Sequence, residues 1–131
     1  RWPDDFMFQL SDLERESGCI YMERLRLIDD SPIFFDISYI PNINLPRITA
    51  RQFENRSLFN ILREHYNIEI RGGEQRIRAI TPPARIRKYL KLLKDQPVLH
   101  LERKIETSTK GLFLYSSIFC NTGKYSIFGR F

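Results

Sequence analysis

The sequence predicts an α+β domain in which helices cover one face of an antiparallel sheet. Three observations lead there. Several apolar or alternating segments lie between turn signals, as strands do. Two segments place apolar residues at helical spacing. The order of elements then recurs after a shift of 79 residues, which suggests pseudo-duplicated helix–hairpin units.

The elements follow in order. Phe6, Leu10 and Leu13 have a loose helical spacing, and Gly18 is placed to end that helix. Ile20 to Ile28 reads as a strand, with Ile20 and Met22 on one face and Leu25 and Leu27 on the other. Asp29-Asp30-Ser31-Pro32 is a turn, and Ile33 to Ile40 is the returning strand of a hairpin. Pro41, Asn42, Asn44 and Pro46 mark a loop over 41–54. Ser57 has the character of an N-cap, with Leu58, Ile61 and Leu62 opening a helix to about Tyr66. Ile68 and Ile70 alternate before a Gly72-Gly73 turn, and Ile77, Ala79 and Ile80 suggest a strand that stops at Pro82-Pro83. Ile86, Tyr89, Leu90 and Leu93 then define a basic amphipathic helix over 83–94. Val98 begins a strand, Ser108 to Gly111 turn, Leu112 to Cys120 return, and Tyr125 to Phe128 form a last short strand. Under the 79-residue shift Leu13 meets Leu92, Glu23 meets Glu102, Arg24 meets Arg103, Phe34 meets Phe113 and Ser38 meets Ser117.

Length and composition narrow the function classes. One domain of 131 residues, 42% hydrophobic and 13% aromatic, has enough apolar side chain for a packed core and is not disordered. No apolar run approaches the ~20 residues that span a bilayer, and Arg1-Trp2-Pro3-Asp4-Asp5 does not resemble a signal peptide. Cys19 and Cys120 lack metal spacing and read as buried thiols of a cytoplasmic protein. The net charge of +5 is concentrated in 71–94, while the first 70 residues are slightly acidic. No aromatic–basic RNA-binding signature accompanies it, so the charge on the 85–94 helix reads as a solvated face.

No catalytic constellation is marked. His65 sits at a helix end, and His100 is expected to face solvent from a strand. Neither lies in a metal motif, and there is neither a phosphate loop nor a nucleophile elbow. No enzyme activity, metal or cofactor is therefore expected. Arg24-Leu25-Arg26 stands out instead. Its two arginines point to the face that also carries Ile20 and Met22. Arginines beside apolar residues need an anion, either a protein carboxylate such as Glu23 or Asp36 or a ligand phosphate or carboxylate. The residues alone leave both open, as they do a sheet face open to water.

The run Glu23-Arg24-Leu25-Arg26-Leu27-Ile28-Asp29-Asp30-Ser31-Pro32-Ile33, followed by Ser38-Tyr39-Ile40-Pro41, resembles a UTRA domain. These are effector domains of the HutC subfamily of GntR-family transcriptional regulators. The resemblance continues through Ser57-Leu58-Phe59, Tyr66-Asn67-Ile68, the Glu74–Ala79 strand and the Pro97–Arg103 segment, in order along nearly the whole chain. It implies a chorismate-lyase-like fold, with a six-stranded antiparallel sheet and helices on one side. It also implies a cytoplasmic homodimer and a small-molecule effector, often a phosphorylated sugar. Residues 1–131 would be the effector domain alone, with the winged helix-turn-helix that contacts operator DNA absent from this chain. By resemblance Arg24, Arg26 and Ser57 hold the effector's anionic group, and Asp36 meets its hydroxyls. Phe59 stands where the family often has Tyr, and Tyr115 and Ser117 lie on the late strand, where a Glu is common. The expected function is effector sensing for a transcriptional repressor. The alternatives are a lyase acting on a carboxylate substrate on the same fold, and a basic nucleic-acid-binding domain.

Overall fold

The computed structural model describes residues 2–3, 6–43 and 58–123. Its elements run α1 (Asp12–Ser17), β1 (Cys19–Ile28), β2 (Ser31–Pro41), α2 (Leu58–Tyr66), β3 (Ile70–Ile80), α3 (Ala84–Tyr89), β4 (Val98–Thr107) and β5 (Phe113–Cys120). The five strands form one sheet in the order β1-β2-β5-β4-β3, antiparallel at every step. The expected α+β class and antiparallel sheet are thus present. The last expected strand, Tyr125–Phe128, lies outside the described residues.

Local chemistry explains the hairpins and the helix starts. Asp29 and Asp30 both take positive φ, 49° and 66°, between the paired ends Ile28 and Ser31. A two-residue turn of that hand matches the twist of the strands, and Asp tolerates the conformation better than most side chains. Helix α1 starts later than apolar spacing suggested. Ser11 accepts from the Glu14 N–H, and the Glu14 carboxylate accepts from the Ser11 N–H, forming a capping box. The Ser-x-x-Glu signature is present in the sequence and outweighs the looser pattern of 6, 10 and 13.

Two other expectations are corrected. Gly72 and Gly73 do not turn the chain; β3 runs straight through them, with a register shift between Ile70 and Gly72. A Cβ on Gly73 would lie 2.2 Å from the Lys104 carbonyl oxygen, so the close approach of β4 requires glycine there. Helix α3 is also shorter than the 83–94 pattern. It ends at Tyr89, and Lys91 turns to φ 52°, leaving Leu93 exposed.

Successive strand residues point to opposite sides, and both sides of this sheet are covered. One side carries Phe35, Ile37, Tyr39, Tyr115 and Phe119, packed with Leu10, Ile86 and Leu90 from the N-terminal region and the α3 segment. The other carries Met22, Ile40 and Leu114, packed with Ile61 and Leu62 of α2. The helices therefore do not share one face. Strand β2 shows why: it is apolar on its odd positions and carries fully buried Ile40 among its even ones, so each face needs a cover.

Tyr115 is a structural residue of the first side. Its hydroxyl donates to Glu14 Oε2 at 2.7 Å, and its ring meets Trp2, Phe6 and Phe8. Glu14 is only 3% exposed, so this hydroxyl is one of the few donors its carboxylate has. Tyr115→Phe should lower stability by about 1–3 kcal/mol, the cost of leaving a buried polar group short of a partner. Urea denaturation measures it; an unchanged midpoint would show the bond to be dispensable.

Candidate functional site

The side of the sheet away from Tyr115 is covered by α2 only in part. Beyond that cover lies a recess of about 210 Å³, lined by Arg24, Arg26, Asp36, Ser38, Phe59, Arg103, Ser116 and Ile118 among others. Strand register assembles it. Arg24 sits directly opposite Asp36, and Arg26 opposite Phe34, across the β1–β2 hairpin. Asp36 faces Ile118, and Ser38 faces Ser116, across β2–β5; Ser116 in turn faces Arg103 on β4.

Three guanidiniums thus surround one carboxylate. Arg26 Nε lies 3.3 Å from Asp36 Oδ2, and the Asp36 side chain is only 14% exposed. Burial pushes the Asp36 carboxyl above its ordinary value, while Arg26, Arg24 and Arg103 pull it back toward ionisation. Burial also lowers Arg24, as does the like charge of Arg26, and Asp36 opposes both. Arg24 remains a cation regardless, since guanidinium does not titrate in the working range. Charges in a half-buried recess act more strongly than they do in bulk water. The arrangement is a concave, positively charged surface that already holds one internal counter-ion. Chemically it can bind an oxyanion and offer Asp36 and serine hydroxyls to neighbouring polar groups.

The expected site residues divide. Arg24, Arg26, Asp36 and Phe59 come together on the recess. Ser57 lies outside the described residues. Tyr115 contributes to the lining from within β5, but its side chain lies on the opposite side, bonded to Glu14. Ser117 is on that opposite side too, with Oγ 2.6 Å from His100 Nε2. The reading of the late strand was therefore out of phase: Ser116, not Ser117, faces the recess. Ser38, Arg103 and Ser116 were missed. The 79-residue shift held one signal, because it superposes Arg103 on Arg24.

His100 also departs from expectation. It is buried rather than solvent-facing, stacked on Phe119 with ring centroids 4.2 Å apart, and burial lowers its pKa. Ser117, His100 and Glu102 follow the order of a serine–histidine–acid chain. However, the Glu102 Oε1 to Nδ1 separation of 3.8 Å is too long for a hydrogen bond. Glu102 is instead held by Arg76 and Arg78, and Ser117, His100 and Glu102 all lie within the paired stretch of β4 and β5. A larger cleft of about 510 Å³ beside α1 is lined by Trp2, Phe6 and Phe8, with Arg15 and Glu16 as opposite charges. It gathers no set of like charges. Among the described residues no acidic, His or Cys cluster could hold a metal, and no helix is long and apolar enough to cross a membrane. Cys120 is buried, with its thiol pushed up to about 11 by burial first and by Asp36 second; Cys19 is half-buried and also raised by burial.

The UTRA domain family model matches residues 3–126. The chain belongs to the UTRA domain family. Solved structures agree on the fold. A GntR-family transcriptional regulator from Enterococcus faecalis superposes with a TM-score of 0.77 at 22% identity, covering 88% of this chain and 82% of that one. A GntR-family regulator from Bacillus cereus gives 0.70 at 16% identity, covering 85% and 77%. The C-terminal domain of YurK from Bacillus subtilis gives 0.73 at 19% identity, covering 84% and 76%. No curated protein matches the chain significantly in sequence. A UTRA domain of GntR-family regulators is an effector-binding regulatory domain, and among the described residues the recess is a concavity on which three arginines converge.

The charge balance at Asp36 can be tested directly. A raised carboxyl pKa means that its contribution to stability is present at low pH and is lost as pH rises through the folded value. Carbon-detected NMR titration should place Asp36 above the ordinary aspartate value, and Arg26→Ala should raise it further. A lower value in Arg26→Ala would contradict the pairing.

Proposed function

We propose that this UTRA domain senses a small anionic metabolite, such as a sugar phosphate, for a DNA-binding transcriptional repressor. The observation that carries the reading is the group of three arginines around half-buried Asp36 in one recess. Paired guanidiniums suit phosphate because their planar forks match its oxygens. Asp36 and Ser38 would face the ligand's hydroxyls. Ser57, which precedes α2, would add a hydroxyl and the free N–H groups of a helix start.

In this reading the domain works in the cytoplasm as a homodimer. Operator DNA is contacted by a separate N-terminal domain, and the domain described here performs no catalysis. Ligand binding biases one of two arrangements of the dimer, and that bias changes operator affinity. We also propose that the fold is completed by a sixth strand at Tyr125–Phe128 as a chorismate-lyase-like sheet. A duplicated hairpin unit fits the equal offset of 79 residues between the start and end of β1 and those of β4.

Inorganic phosphate should raise the melting temperature of the domain, with a gain of about 2.7 kcal/mol at a concentration 100 times Kd. The double variant Arg24→Ala, Arg26→Ala should lose the shift while remaining folded. A shift that survives in the double variant would sink the assignment of the recess.

A further inference from the structure

We propose that the recess contains a second anion subsite, built from Arg103 and Ser116, and that its ligand carries two acidic groups. This rests on reading the recess as the effector site. One group sits on Arg24 and Arg26; the other, a carboxylate or similar oxyanion, sits on Arg103 and Ser116.

The sheet itself isolates the second subsite. Ser38, Ser116, Arg103 and Gln75 are successive cross-strand partners on β2, β5, β4 and β3. They form one polar row on this side. The row on one flank is Ile40, Leu114 and Ile105, beside Gly73; the row on the other, past Asp36, is Ile118, Leu101 and Ile77. A sheet face covered by a helix does not need a polar row between two apolar ones.

The row's donors lack acidic acceptors. Arg103 is half-buried, and its Nε donates to the neutral Gln75 Oε1 at 3.2 Å. Among the described residues no carboxylate lies at ion-pair distance from Arg103. Arg26, Arg76, Arg78 and Arg85 each have one. A guanidinium is seldom withdrawn from water without an anion. Directly opposite Arg103, Ser116 Oγ is buried and has no hydrogen-bond partner among the described residues. A buried hydroxyl in that state is costly unless something completes it. An acceptor-only group between Arg103 and Ser116 satisfies both.

Charge and distance favour two groups over one. Among the described residues the lining carries three arginines, Arg24, Arg26 and Arg103, and one carboxylate, Asp36. Arg24 lies on β1 and Arg103 on β4, three strand spacings apart, or about 14 Å at the backbone. An elongated diacid suits that span better than a compact ion.

Calorimetric titration of the domain with matched pairs tests this. Sorbitol 6-phosphate and 6-phosphogluconate differ by a carboxylate in place of a hydroxymethyl, as do glycerol 3-phosphate and 3-phosphoglycerate. The acid should bind at least tenfold tighter in one pair or both. Arg103→Gln should reduce that advantage to within twofold and weaken inorganic phosphate binding far less than Arg24→Ala, Arg26→Ala does. Ser116→Ala should reduce the advantage in part, and it carries the test if Arg103→Gln does not fold. No advantage in either pair, or one that survives Arg103→Gln, overturns the second subsite. So does a folded Arg103→Gln that no longer binds phosphate, since Arg103 would then belong to the first subsite. Failure of the effector-site reading shows differently: phosphate would still bind the Arg24→Ala, Arg26→Ala variant.

Discussion

Alternation along β2 is the constraint on which both the core and the recess depend. Phe35, Ile37 and Tyr39 enter the cluster shared with Ile86 and Leu90, while Asp36 and Ser38, between them in sequence, line the recess. A slip of one residue would bury Asp36 among aromatics and turn Phe35 and Ile37 into the site. The Asp29-Asp30 turn and the bulge at Arg26/Leu27, where Ile33 is passed over, together set Arg24 opposite Asp36. The electrostatics of the site therefore follow from hairpin geometry before any ligand is considered.

Within that frame Asp36 acts as an internal counter-ion. It holds Arg26 and moderates Arg24, although burial disfavours the charge of Arg24 and of Asp36 itself. The opposite side of the sheet handles its cations in another way. Glu102 takes Arg76 and Arg78, and Glu23 takes Arg85, so those charges are closed off within the protein. Among the described residues three arginines line the recess with one carboxylate, whereas three arginines share two carboxylates on the opposite side. A surplus held by the fold lowers stability and is kept where binding needs it, as expected of functional sites.

Much of this was legible in the sequence because strands announce themselves by period and turns by residue type. The β1–β2 hairpin and the shared face of Arg24, Arg26 and Met22 follow from alternation alone. The phase of β5 did not. In Leu114-Tyr115-Ser116-Ser117 aliphatic, aromatic and hydroxyl residues fall on both parities, so only pairing with β2 and β4 decides which serine faces the recess. The helix positions were obscured for a related reason. With both sides of the sheet apolar, period gives no hint of which side a helix covers. Gly72-Gly73 carries the composition of a turn but serves a bulge, because what it accommodates is a carbonyl on β4, distant in sequence. His100 looked exposed by alternation and is buried by its stacking on Phe119.

The central claim is that anions bind the side of the sheet bearing Asp36 and not the side bearing Glu102. Arginine Nε–Hε NMR spectra recorded during titration with inorganic phosphate test it most directly, because they report each guanidinium separately. The account predicts saturable shifts at Arg24 and Arg26, with Arg76, Arg78 and Arg85 unmoved. Shifts of equal size on both sides of the sheet, or shifts confined to Arg76, Arg78 and Arg85, would contradict it.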